Sequence, residues 1–551
     1  MAAFLAGDFI QLPDGQRSPA EYLATLAEFI AQHSYLTSFY GLHFITQDYW
    51  RRSAFPREWA VLADESWESL EAVASSGQIQ DQWPASLKTF IRQAHSIGLP
   101  RDPAACPLFG DVECRYLLES LWAAITNGMN RKKLEEVTSL AAIIAHIANT
   151  SGCTHVLDIG AGQGYLSSAL AYQYGLDVVC LDGSGLQLHG GQSRSAHIER
   201  LLEHHKMRQG GRLRFVEMVL KFDKVAGQPS DDEPQIVRQI RQLIQDSEST
   251  SGAAGQESPS AESRWLICGL HTCGDLAPTM LKSIVPGTSD RSGIPQARVV
   301  VNVGCCYHVL TERDVANSAT EFHARHQTDD GLEQVACGFP MSKVLKDQGL
   351  KLGLEARMVA CQAARRWAPN PKQTRQSFRR LFYRAVLQAI LNDHREQLPA
   401  ARQPEESTGS DARPQDISSD DVLQRMSDYA VRRLPSAAFE SPLQYISAAL
   451  DRLGVAPDSP LRDPAVTTEY FERHAAAEKQ IAVVWTLRAL MADAIESLIL
   501  VDRWMYLVEQ ANERRAALAA SVGHDCCSGS SDGSDRELAS PRNMALIVVG
   551  L

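Results

Sequence analysis

No long apolar run of this 551-residue sequence is free of charge. The most hydrophobic late stretch, residues 481–507, carries Arg488, Asp493, Glu496, Asp502 and Arg503. Charges at that density are costly in a bilayer core, so a long helix packed on protein is expected there, and no membrane span. An excess of positive charge is missing too. Lys and Arg number 54 against 66 Asp and Glu, a formal net charge of −12. That balance excludes a wholly basic surface of the kind that grips nucleic acid nonspecifically and leaves room only for local contact. No basic segment accompanies the short apolar stretch within residues 1–8, so no secretory leader is expected. The 12 cysteines are then expected to be mostly free thiols in a reducing compartment, cytoplasmic or nuclear. No internal repeat is visible.

Hydrophobic residues make up 44% of the chain, enough to bury a sizeable core. Residues 18–147 read largely as helix, with apolar residues at three and four spacing, as in Tyr22, Leu23, Leu26, Phe29 and Ile30. Within them, residues 116–147 form two helices broken at Asn127, Gly128 and Met129. Next come a β-like run at 155–157, a glycine turn, a helix at 165–174 and a strand at 177–181, which together make a βαβ unit with parallel strands. Two apolar runs, 265–270 and 298–303, extend the sheet. Helices follow at 376–391 and 476–512.

The expected plan is α/β, with a Rossmann-like sheet, helical N-terminal and C-terminal regions and disordered insertions. Residues 1–114 form the helical N-terminal region and 115–400 the sheet domain, interrupted by a disordered insert at 226–263 with at most a transient helix at 234–245. Residues 401–421 are a disordered linker, 422–515 a helical C-terminal region and 516–551 a low-complexity tail. Segments this rich in Ser, Gly, Gln and acidic residues bury too little apolar surface to offset the entropy of ordering.

The run Val156-Leu157-Asp158-Ile159-Gly160-Ala161-Gly162-Gln163-Gly164 sets an acidic residue at the end of a strand and three glycines in the turn that opens a helix. Such glycines let backbone turn sharply and approach a ligand closely. The dinucleotide fingerprint would need a glycine at 165, where Tyr165 stands. Asp158 would also repel a pyrophosphate, whereas a sulfonium cofactor with an ammonium group suits an acidic neighbour. The second strand ends in Asp182, placed to accept hydrogen bonds from ribose hydroxyls. Gly160, Gly162, Gly164, Asp158 and Asp182 are therefore expected to hold S-adenosylmethionine.

Ligands of a doubly wound sheet sit outside the carboxyl ends of its strands. The later runs end in Gly269-Leu270-His271-Thr272-Cys273-Gly274-Asp275-Leu276 and Asn302-Val303-Gly304-Cys305-Cys306-Tyr307-His308. His271, Asp275, Tyr307 and His308 are thus candidates to orient a methyl acceptor or take its proton, although His271 and Asp275 would equally cap the following helix. The thiols of Cys273, Cys305 and Cys306 with the two histidines raise a metal site. Their spacing matches no C-x-x-C pair and adjacent cysteines rarely share one ion, so no metal is expected. Residues 351–384 carry nine Lys and Arg from Lys351 to Arg384 against Glu355, interleaved with Trp367, Phe378, Phe382 and Tyr383. Such a run either contacts RNA locally or forms a solvated basic face.

Together these motifs resemble the methyltransferase-like protein 25 family, along with Asn127-Gly128-Met129-Asn130-Arg131-Lys132-Lys133, Gly338-Phe339-Pro340-Met341-Ser342, Ala360-Cys361-Gln362 and Phe382-Tyr383-Arg384-Ala385. The likeness spans most of residues 115–510. The two strand-end loops are also similar to a divergent version of those in transfer-RNA 2′-O-methyltransferases, but Tyr307 stands where that family has His, so its substrate is not carried over. The resemblance implies a class I methyltransferase sheet and methyl transfer from S-adenosylmethionine, with the acceptor open. A macromolecule, RNA or a translation-associated protein, is the expected acceptor. The alternative is a non-catalytic scaffold that keeps the fold for protein partners, favoured by the absence of an Asn/Asp-Pro-Pro-Tyr type motif.

Overall fold

The computed structural model describes residues 12–38, 40–100, 119–207, 210–220, 235–251, 264–270, 272–284, 294, 297–312, 338–364, 367, 370–394, 431, 434–521 and 545–549. The chain divides into two compact units. One comprises Met1–Leu23, Pro100–Lys351 and Ile499–Leu551, the other Ala24–Leu99 and Leu352–Leu498.

The first unit is built on a six-stranded sheet: β1 (His155–Ile159), β2 (Asp177–Asp182), β3 (Leu213–Glu217), β4 (Trp265–Leu270), β5 (Ala297–Val303) and β6 (Ala545–Val549). Their order is β3-β2-β1-β4-β5-β6; the first five are parallel and β6 runs antiparallel to β5. Buried on both faces, β1, β2, β4 and β5 alternate between two cores. Val156, Val178, Leu266, Cys268, Val299 and Val301 face one, covered by the helices Glu119–Thr126, Arg131–Thr150 and Gly185–His204. Leu157, Ile159, Val179, Leu181, Ile267 and Val300 face the other. The two cores and the parallel strands make the α/β Rossmann-like architecture expected.

Two expectations need correction here. The chain has two strands that were not anticipated, β3 and β6, and β6 lies inside the stretch expected to be a low-complexity tail. The insert expected to be disordered contains a helix, Gln235–Ser251, whose residues Ile236, Val237, Ile240, Leu243 and Ile244 are buried against the second core. The remainder of that insert and the linker 401–421 lie outside the described residues. The break at Asn127–Met129 is where the first helix ends, and Asn130 caps the next, its side chain accepting from the Lys133 amide.

The second unit is helical, and residues 352–394, expected to belong with the sheet, are part of it. The helix Pro371–Asp393 donates from Arg375 to Glu68 and Glu71 on the helix Trp67–Ser76, and Phe378 stacks on Trp67. Arg488 on the helix Ala475–Leu490 makes a buried pair with Glu355, 2.6 Å apart. These links join the early and late helical regions into one body. Among the described residues no helix is long and apolar enough to cross a membrane.

Candidate functional site

The strand order reverses between β1 and β4, so their outgoing connections part and leave a crevice at the carboxyl edge. The glycine turn lies on one side of it. Gly160, Gly162 and Gly164 all hold positive φ, at 70°, 58° and 66°, a region that other residues enter at a cost. The turn is pinned to the end of β2. The amides of Gly160 and Ala161 donate to the Leu181 carbonyl, and Gly162 donates to Asp182 Oδ2 at 2.8 Å. Asp182 Oδ1 takes the Ser184 amide. A Cβ on Gly164 would lie close to Cys180 Sγ and the Phe215 ring, at 3.0 and 3.1 Å, whereas one on Gly162 would meet nothing within 4 Å. Gly164 is thus constrained by both its φ and its neighbours, and Gly162 by its φ with open space beside it.

Asp158 sits beneath this turn rather than in the crevice, only 1% exposed. Its Oδ2 accepts from Ser167 Oγ at 2.6 Å, and the buried Cys268 thiol lies against the same carboxyl. Burial, opposed by the Ser167 bond and helped by the charge of Asp182, pushes its pKa up to about 7. A positively charged ligand over the turn would relieve both the repulsion between the two carboxylates and the cost of ionising Asp158. This donor set fits the sulfonium and ammonium groups of S-adenosylmethionine and does not fit a pyrophosphate.

The contact of Tyr165 with Arg194 was not anticipated from the sequence. The Tyr165 ring, at the start of the helix after the turn, lies between Arg194, with Cζ 3.6 Å from its centroid, and Lys133, with Nζ 4.3 Å away. Arg194 also donates to the carbonyl and side chain of Gln163, clamping the turn from outside. Burial and the Arg194 charge hold the Lys133 ammonium below its usual range. Lys133 thus lies over Tyr165, the first residue after the glycine turn, whereas Lys132 pairs with Glu136. The signal available in the sequence was Tyr165 itself, an aromatic residue in place of the third dinucleotide glycine.

On the other side of the crevice the four candidate acid-base residues fare differently. Asp275 braces the neighbouring loop: Oδ1 accepts the Thr311 amide at 2.9 Å and Oδ2 the Thr311 hydroxyl at 2.6 Å. A Cβ at Gly338 would lie 2.0 Å from Asp275 Oδ1, so the Gly338 backbone closes over that carboxylate. Tyr307 is buried and donates to the Gly304 carbonyl, tying its own loop together. His308 is half-buried on the short turn Tyr307–Val309. His271 lies outside the described residues.

The cysteines converge, contrary to what their spacing suggested. Cys273 Sγ lies 3.0 Å from Cys306 Sγ and 3.6 Å from Cys305 Sγ, and the adjacent pair are 3.5 Å apart. Hydrogen bonds to both sulfur neighbours push the Cys305 thiol far above its usual range.

Phe378, Phe382 and Tyr383 are buried, Arg357 is buried, and Arg375 and Arg379 are paired with Glu68, Glu71 and Glu478. A cleft lined by Gln362, Ser377, Arg380, Arg384, Trp485 and Arg488 lies within the helical unit.

Residues 132–313 match a family model described as a methyltransferase domain. Along most of its length the chain is similar to two curated proteins named "Probable methyltransferase-like protein 25". The mouse (Mus musculus) protein is 25% identical over 480 residues, 71% of this chain and 72% of that protein. The human (Homo sapiens) protein is 26% identical over 485 residues, with the same shares covered. No solved structure matches the chain significantly.

Proposed function

Starting from a chain that carries a methyltransferase domain and is similar to methyltransferase-like protein 25, we propose that it transfers a methyl group from S-adenosylmethionine to a macromolecular acceptor, RNA or a translation-associated protein. The observation that carries this reading is the glycine turn pinned to Asp182, with open space beside Gly162 and the buried carboxyl of Asp158 at the end of the preceding strand. Asp182 would accept from the ribose hydroxyls, Lys133 and Arg194 would lie towards the carboxylate of the methionine end, and Asp158 would supply negative potential from below. The cofactor supplies an activated methyl group. The protein's share is to hold the acceptor atom in line with it. Asp275, Tyr307 and His308 are the described candidates to orient that atom or take its proton.

Calorimetry with S-adenosylmethionine tests the cofactor. Wild type is expected to bind, and Asp182→Ala to weaken binding roughly ten- to hundredfold, since a charged acceptor of several hydrogen bonds is lost. Equal binding by the two proteins sinks the assignment. Tritiated methyl transfer into cell extract tests turnover, and loss of label under nuclease or under protease separates RNA from protein. The inward commitment of Asp275 and Tyr307 favours one rival, a scaffold that binds the cofactor without turning it over; transfer of label eliminates it. If the acceptor is RNA, charge reversal at Arg379 and Arg380 is expected to weaken binding and reduce its dependence on salt. An unchanged salt slope removes residues 351–384 from the interface.

A further inference from the structure

We propose that Cys273, Cys305 and Cys306 form a zinc site at the carboxyl ends of β4 and β5, with the three thiolates as ligands and a fourth position left for an exchangeable group.

Pairing of neighbouring parallel strands creates the cluster. Gly269 and Leu270 of β4 are in register with Asn302 and Val303 of β5, so the loops that leave both strands start side by side. Each loop is then fixed in place. The Thr272 amide and hydroxyl both donate to the Val303 carbonyl, and Asn302 Nδ2 donates to Thr272 Oγ1. Gly274 has φ of 55°, and a Cβ there would lie 2.8 Å from the Val309 carbonyl oxygen. Asp275 holds Thr311 and Tyr307 holds Gly304, as described above.

The three Sγ atoms lie within 4.8 Å of one another, the spread expected of ligands around one ion with zinc–sulfur bonds of about 2.3 Å. A disulfide would use two of the sulfurs and strand the third, whereas a soft divalent cation uses all of them. The charge also suits: zinc with three thiolates carries one net negative charge, and the buried Arg503 guanidinium packs against Gly304, next to Cys305. Among the described residues no further His, Cys, Asp or Glu joins the group. Three protein ligands with an open fourth position distinguish exchangeable zinc sites from closed structural ones. On binding, each thiol gives its proton to solvent as its sulfur bonds the metal, and no oxidation occurs.

The test uses the full chain, purified reduced and loaded with zinc, and then with cobalt(II) in its place. Elemental analysis is expected to give one zinc per chain. The cobalt form is expected to show thiolate-to-metal charge transfer together with the intense visible bands of tetrahedral cobalt. Cys273→Ala and Cys306→Ala are expected to lose most of the metal, with far-ultraviolet circular dichroism checking their fold, and Cys361→Ala, at an exposed cysteine of the helical unit, to keep it. Because the cobalt spectrum is read on wild type, it decides the matter even if the variants do not fold. A reduced wild type that binds no metal, a spectrum without thiolate bands, or full zinc in a folded Cys306→Ala overturns the site. So does a thiol titration showing Cys273 and Cys306 joined as a disulfide. None of these readouts needs S-adenosylmethionine, so the site and the methyl-transfer reading fail separately.

Discussion

Asp158→Asn is expected to stabilise the cofactor-free protein at pH 8 while weakening its hold on S-adenosylmethionine. The carboxyl of Asp158 is buried, and its pKa rises from 3.8 to about 7. In the window between those values the folded chain keeps a proton that the unfolded chain releases. The stability held by the neutral acid is therefore complete below about pH 4 and is lost as the pH rises through about 7. At 1.36 kcal/mol per pKa unit the loss approaches about 4 kcal/mol by pH 8. Asn carries no such charge, so variant and wild type should unfold at similar urea concentrations at pH 4.5, and the variant at a higher one at pH 8. The cofactor has the opposite preference. Its positive charge favours the carboxylate, so wild-type affinity should rise between pH 6 and pH 7.5, with protons released on binding, and the Asp158→Asn protein should bind weakly and with little dependence on pH. Parallel unfolding curves for the two proteins across this range would show that Asp158 is already ionised in the fold. On this account the turn is held in a state costly to the empty protein, and the cofactor's charge removes the cost.

The parts of this arrangement differ in how visible they were beforehand, for physical reasons. Strands β1, β2, β4 and β5 are buried on both faces and appear as nearly unbroken apolar runs. Strand β3 is Leu-Arg-Phe-Val-Glu, an edge strand that turns Arg214 and Glu217 to solvent, and so short a mixed pattern has no clear period. Strand β6 does have the β-branched run, Ala-Leu-Ile-Val-Val, but Ser- and Gly-rich chain precedes it and its pairing is with β5, far back in sequence. In the helix Gln235–Ser251 the apolar stripe is diluted by Gln, Arg and Asp, so average composition hid a face that periodicity marks. The glycine turn was legible because positive φ demands glycine at fixed places. Side-chain destinations were not. Nothing in Gly-Asp-Leu shows that Asp275 reaches Thr311, 36 residues later, and a rule about C-x-x-C spacing cannot register thiols that meet because two strands pair.

Asp502→Ala is expected to cost about 3–5 kcal/mol and to release the segment Met341–Ser342 before the rest of the sheet unit. Asp502 lies on the helix Ala492–Ser521, within the part that belongs to the sheet unit. Its Oδ2 accepts the Met341 amide at 2.7 Å, and Oδ1 accepts both the amide and the hydroxyl of Ser342, at 2.9 and 2.6 Å. The Ser342 hydroxyl in turn accepts from the Leu345 amide and caps the helix Lys343–Gln348. Every member of this network is buried, so truncation leaves two amides and a hydroxyl without an acceptor, at roughly 1–3 kcal/mol each and less than additively. Burial raises the Asp502 pKa, which shows that the ionised carboxylate is under strain from desolvation despite its three donors. Asp502→Asn should therefore recover part of the loss: its carbonyl keeps the Ser342 bonds and its amide, facing the Met341 N–H, loses one. Urea unfolding should rank wild type above Asp502→Asn, and that variant above Asp502→Ala, and hydrogen exchange should show the amides of Met341, Ser342 and Leu345 opening first in the Ala variant. Uniform exchange through the sheet unit would instead make Asp502 a general stabiliser of its helix. The distinction bears on the crevice, because Gly338, three residues before Met341, closes over Asp275, and Asp275 stands two residues from Cys273. A segment released at Ser342 would loosen that cover, so the Ala variant is expected to lose acceptor-dependent methyl transfer at temperatures where its sheet, and its affinity for S-adenosylmethionine, are still intact.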